Sequence, residues 1–311
     1  MAPLSHIRRH FSDRFGDHLS DICYRLPADP RFFQIAVLSG LLAYGGASGA
    51  FEIDPYVIAA VFGAAIATQF LGAVLNATRF EVRSAAITSL SLLLLLRADA
   101  PIIMAGAAAI AIGSKFLIRL YDKHVFNPAN AGIVALLIIS NVAEPGSSLS
   151  GVAWTTPGQW GTALWLAALL AGLGVFVTSR AARLDAPLAF FAVFAALAIA
   201  RALWLGDPLA IPVNRLQNGA LVLFAFFMLS DPKTTPDGSR ARIVFAGLIA
   251  VLSHWLIFHQ FVSDGMFYAL FAACALRPIF DAVATAPRYA WPQQRRRALS
   301  RDGPPTAYPA E

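Results

Sequence analysis

The sequence predicts an all-α polytopic membrane protein with about ten transmembrane helices in a 5+5 inverted repeat. Three observations lead there. Of 311 residues, 58% are hydrophobic and only 14% charged, whereas soluble domains carry nearer a quarter charged. The apolar residues gather into runs approaching the roughly 20 residues that cross a bilayer. The basic residues cluster on alternate connections between those runs.

Ten apolar segments follow in order, at about 32–50, 55–78, 84–96, 100–119, 129–145, 159–179, 185–205, 216–230, 241–260 and 265–285. With the N-terminus cytoplasmic, every Lys and Arg except Arg97, Arg201 and Arg215 falls on a cytoplasmic flank. A wrong segment count would invert the sides partway and scramble that asymmetry. Ten helices with both termini inside is therefore the expected topology. The same asymmetry accounts for the basic pI of 9.7 without a nucleic-acid partner. The lipid bilayer is the partner that composition implies.

The third, fifth and eighth segments are short for a hydrocarbon core of about 30 Å. An odd repeat unit inverts topology, and the third and eighth segments then hold matching places in halves 32–145 and 159–285. Paired short segments in matching positions point to a binding site near the midplane, at the repeat interface. The entries to the fifth and tenth segments also correspond, VFNPANAGIVAL against QFVSDGMFYAL, each a Phe, a polar turn and an apolar helix. The expected domains are a polar cytoplasmic segment 1–31, a membrane domain 32–286 and a disordered basic tail 287–311. Residues 1–31 lack the apolar core of a cleaved signal peptide. Cys23 and Cys274 form neither a metal spacing nor a disulfide framework.

Residues 121–141, YDKHVFNPANAGIVALLIISN, place an Asn-Pro break between charged and apolar stretches. Asn127 suits an N-cap and Pro128 the first helical turn. A helix starting there presents a positive dipole end to a cleft, where anions are favoured. Lys123, Asn127, Pro128 and Asn130 form one candidate half-site. A helix start in an ordinary loop would have the same residues. LSDPKTTPDGSR (229–240) supplies Asp231, Lys233, Thr234 and Thr235, and Thr235-Pro236 reads as a second cap-plus-proline start. A plain helix-turn-helix connection accounts for it equally. Asp264 is placed to cap the tenth helix, and Arg277 and Asp281, at i, i+4, to pair. No nucleotide-binding glycine loop, HExxH or GxSxG pattern is present.

KHVFNPANAG, FFMLSDPKTTP and DGMFYAL…RPIFD followed by PRY occur in this order. Together they resemble the integral-membrane family containing the D component of the Rnf electron-transport complex and the B component of the sodium-pumping NADH:quinone oxidoreductase. The likeness spans about residues 30–290, and the short loops look like those of stand-alone members. It implies a ten-helix inverted repeat related in shape to urea transporters, a bacterial inner-membrane location, and electron transfer with other complex subunits or redox partner proteins. It also implies a flavin, FMN or riboflavin. In the family an FMN is joined by a phosphoester to a threonine in a Ser-Gly-Ala-Thr-like motif after the fifth helix. Here the corresponding stretch is SLSGVAWTTPGQWG. Ser150-Gly151 and Thr155-Thr156 are present, but the full attachment pattern is not. Covalent flavin on Thr155, non-covalent flavin and no flavin all remain open at this stage. So do two readings outside redox chemistry, a cofactor-free channel or transporter and an assembly subunit.

Overall fold

The computed structural model describes residues 29–49, 54–120, 123–147, 149–156, 158, 164–284, 286, 287 and 289. The expected N-terminal segment 1–31 and tail 287–311 therefore lie almost wholly outside the described residues, as does Cys23. Within 1–32, the Asp29 carboxylate accepts from Arg31 Nε at 3.0 Å and from Nη2 at 2.8 Å.

The described elements are α1 (Pro30–Ala47), α2 (Pro55–Leu75), α3 (Val82–Leu95), β1 (Leu96–Ala98), α4 (Pro101–Leu117), β2 (Arg119–Leu120), β3 (Lys123–His124), α5 (Pro128–Val142) and β4 (Ala153–Thr155). Then follow α6 (Leu164–Arg180), α7 (Asp185–Leu205), α8 (Ala210–Leu216) and α9 (Gly219–Leu223), which runs into a π-helical turn at Phe224–Met228. α10 (Ser239–Phe258) and α11 (Gly265–Val283) complete them. The chain is a mostly helical membrane protein: α2, α7, α10 and α11 are long and apolar enough to cross a bilayer, and α3, α4, α5, α6 and α9 are shorter apolar helices.

Helix starts follow local chemistry. α2, α4 and α5 each open on proline, where the missing N–H would be unsatisfied anyway. Asp54 caps α2 by accepting from Tyr56 N at 2.8 Å. One expected start is displaced. α10 begins at Ser239 behind Gly238, beyond Thr235-Pro236. Thr235 Oγ1 instead donates back to Asp231 O at 2.8 Å, holding a tight turn, and ion pairs on Asp237 keep the next residues in a loop.

The short helices are the most enclosed. Leu90–Leu96 and every residue from Gly219 to Ser230 are buried, as expected of helices that are apolar on all sides. The contacts among α2, α4 and α5 run parallel to those among α7, α10 and α11. α2 packs on α4 and α4 on α5, just as α7 packs on α10 and α10 on α11. α3 lies against α2, and the π turn against α7. α5 touches α11. At the α4–α5 contact a Cβ on Gly132 would stand 2.6 Å from Ala107 O. Only glycine permits that approach, a small-residue contact of the kind membrane helices use. β1 pairs antiparallel with β4, Leu96 opposite Thr155 and Ala98 opposite Ala153. β2 and β3 form a small hairpin.

Candidate functional site

The structure gathers the sequence-derived candidates into two clusters, one at each of the helix starts α5 and α11. At the first, Asn127 is the N-cap of α5, and its Oδ1 accepts from Asn130 N at 3.1 Å. Its amide nitrogen reaches the end of the π turn, donating to Met228 O at 3.4 Å and to Asp231 Oδ2 at 3.3 Å. Both lengths are at the outer edge of hydrogen bonding, so this amide can be redirected at little cost. Asp231 Oδ1 accepts from Lys233 N at 3.0 Å, and the buried Thr234 and Thr235 fold over its carbonyl.

Asn130 is fully buried, as is its neighbour Pro128. Its Nδ2 donates to Phe267 O on α11 at 3.1 Å, a side-chain bond that joins α5 to α11. Its Oδ1 has no hydrogen-bond partner. Buried acceptors are nearly always satisfied, so this one marks a place where a donor belongs. Beside the cluster, His124 is buried and its Nε2 stops 3.7 Å from Asp231 Oδ2, beyond hydrogen-bond reach. Burial pushes the His124 imidazole below its ordinary value, leaving it neutral at pH 7. Burial would raise the Asp231 carboxyl, but the Lys233 N–H at 3.0 Å and the Lys233 charge oppose it, and the net direction is downward, so the group is ionised.

Lys123 serves the scaffold: its Nζ pairs with Asp237 Oδ2 at 2.5 Å. Asp237 also faces Arg183 Nη2 at 3.7 Å and accepts from Tyr289 N at 3.1 Å. The Arg277–Asp281 pair forms as expected, at 3.0 Å.

The second cluster lies at α11. Asp264 occupies the N-cap position, yet its side chain caps nothing. The expected cap is replaced by a contact from β4, in which Thr155 Oγ1 donates to Asp264 Oδ1. Thr156 binds the end of α3, its N to Leu95 O and its Oγ1 to Leu94 O, each at 3.0 Å. The start of α5 thus meets the end of the π turn, and the start of α11 meets strands that continue from α3.

Next to the first cluster, the ends of α2 and α4, the start of α3 and the hairpin enclose a cavity of about 190 Å³. Lys115, Arg119, Arg79, Lys233 and His124 line it, with Glu81. Lys115 Nζ donates to Gln69 Oε1 and, at 3.0 Å, to Ser84 Oγ. Sequence reasoning counted Arg79, Lys115 and Arg119 only as topology markers, and Lys233 as a candidate site residue. The signal that could have singled one out is Lys115 itself, a charge inside an apolar segment.

Comparison with known proteins now adds an identity. The family model described as NQR2, RnfD, RnfE family matches residues 32–290. The D subunit of the ion-translocating oxidoreductase complex from Escherichia coli strain SMS-3-5 / SECEC is 36% identical over 136 residues, 43% of this chain and 36% of the relative. The protein of the same name from strain K12 / DH10B matches to the same extent, and that from O1:K1 / APEC is 35% identical. Each alignment thus spans little more than a third of the relative's length. With the motifs at the start of α5, at the π turn and the loop after it, and at the start of α11 inside the region matched by the family model, the chain belongs to the NQR2, RnfD, RnfE family.

Proposed function

We propose that this chain is a flavin-binding electron-transfer subunit of an ion-translocating oxidoreductase assembly in the bacterial inner membrane. Its helices form ten spans in two inverted halves with both termini cytoplasmic. The repeated neighbour pattern of α2–α4–α5 and α7–α10–α11 supports the inverted repeat. The names of the matched relatives support the redox setting and the presence of partner subunits.

The observation that carries the flavin reading is Asn130 Oδ1, a fully buried acceptor without a donor at the junction of the halves. A flavin ring edge carries an imide N–H flanked by carbonyl oxygens. Asn130 Oδ1 would accept from that N–H, and the loosely held Asn127 amide would donate to a carbonyl. Bound there, flavin would supply one- and two-electron redox chemistry. The chain's own part is to orient the ring through the two asparagines and to exclude water with the buried π turn. Thr155 is a poor anchor for a phosphoester, because its hydroxyl already donates to the Asp264 carboxylate. A phosphodiester there would meet like charge. The flavin is held without a covalent bond.

The test is to purify the full chain in detergent, record its visible spectrum and examine a denaturing gel under ultraviolet light. The reading expects flavin absorption in solution and no fluorescent band on the gel. A colourless preparation that passes a small solute in proteoliposomes would replace it with the transporter reading. A fluorescent band lost in Thr155→Ala would instead establish covalent attachment.

A further inference from the structure

We propose that the cavity enclosed by α2, α3, α4 and the β2–β3 hairpin is a binding site for a phosphate group, separate from the flavin position and independent of whether flavin binds. Lys115, Arg119, Arg79 and Lys233 line it, and Glu81 is the one carboxylate among the lining residues. Four cations facing one small space repel one another, and an anion among them removes that repulsion.

Topology alone explains basic residues at helix ends, but not their arrangement here. Topology charges need only reach water, whereas Lys115 is drawn inward and fixed by Gln69 and Ser84 on two other helices. The cavity also holds His124, buried, with Nε2 unpartnered. In the tautomer protonated at Nε2, that nitrogen is a donor lacking an acceptor. A phosphate oxygen supplies one. The start of α3 opens on the same space: Glu81, its N-cap residue, makes no side-chain cap bond, and helix N-termini favour anions.

Size restricts the ligand. Pockets that enclose whole organic ligands run from about 300 to 1,000 Å³. At about 190 Å³ this half-open cavity holds a phosphate group, and the rest of a larger molecule would extend out through its mouth. The group has two possible sources, the headgroup of an anionic phospholipid entering from the membrane surface and a soluble phosphate or phosphoester.

The experiment has one arm for each source and uses the full chain. In the first, inorganic phosphate is titrated calorimetrically into detergent-purified protein. In the second, the protein is placed in phosphatidylcholine nanodiscs containing a minor share of phosphatidylglycerol, and retained lipid is counted by native mass spectrometry after release. Binding is expected in at least one arm, weakened tenfold or more when Arg119→Gln and Lys233→Gln are combined. Both residues are exposed, so the fold should survive, and an unchanged melting temperature checks that it does. Lys115→Gln should weaken binding further, and Arg215→Gln, exposed and outside the cavity, should leave it unchanged. Phosphate binding alone identifies a soluble ligand, and lipid retention alone identifies a headgroup. No binding in either arm, or binding indifferent to the double variant, overturns the proposal. Flavin content measured on the same samples separates this outcome from failure of the flavin reading.

Discussion

The starts of α5 and α11 each follow a phenylalanine and a polar turn, yet they carry different chemistry. At α5 the N-cap is a neutral asparagine that bonds to its own helix and reaches across to Asp231. At α11 the equivalent residue is Asp264, which ignores its helix and binds Thr155. The preceding phenylalanines differ too. Phe126 stacks on Phe271, with ring centroids 4.1 Å apart, whereas Phe261 is 85% exposed and adopts a φ of 55°. One helix start is anchored in the interior beside a cavity rich in cations. The other is closed by a carboxylate and a two-stranded ladder. Two helix starts with similar sequence frames thus differ in the side-chain chemistry they present.

Breaking the α5 frame should have the largest effect. Gly132→Leu drives a side chain against Ala107 O and Ala111 Cβ. It should destabilise by about 3 kcal/mol, at the upper end for overpacking, read as a lower melting temperature in detergent. Asp237→Ala comes next. It strands the buried Arg183 and the partly buried Lys123, and the loss should be about 2 kcal/mol by chemical denaturation, within the range for breaking charged hydrogen bonds.

Asn130→Ala removes the side-chain bond from α5 to Phe267 O. It should cost about 1–2 kcal/mol because it leaves that carbonyl short of a donor. Acidification should act on the same cluster. The buried His124 has its folded value below the ordinary 6.5, so the unfolded chain takes up the proton first. Stability is then full above pH 6.5 and falls as pH drops below it. A melting curve against pH should show this decline, and His124→Gln should flatten it. The α11 frame should respond least. Thr155→Val should cost about 1 kcal/mol or less, as expected for one contact to a half-exposed carboxylate.

Much of this frame was legible in the sequence. Apolar run length and the Asn-Pro signal located the helices and the start of α5, because both depend on nearby residues. The rest depends on tertiary contacts. α8 was missed because AIPVNRL lacks an apolar run, and the π turn at Phe224–Met228 has no local signature. Thr235-Pro236 misled because Asp237, engaged by Lys123 and Arg183, holds the loop beyond it. The Thr155–Asp264 contact joins positions 109 residues apart. The basic cavity was likewise hidden: sequence gives the sign of Arg79, Lys115, Arg119 and Lys233, whereas only packing makes the surface between them concave.

The most direct measurement is flavin content per chain, by absorbance, in the protein as purified and in Asn130→Leu and Thr155→Val. Flavin should be present in the parent protein, sharply reduced by the change at α5 and retained after the change at α11. Retention in Asn130→Leu together with loss in Thr155→Val would place the cofactor at the other helix start and contradict the assignment made from the orphaned Asn130 carbonyl.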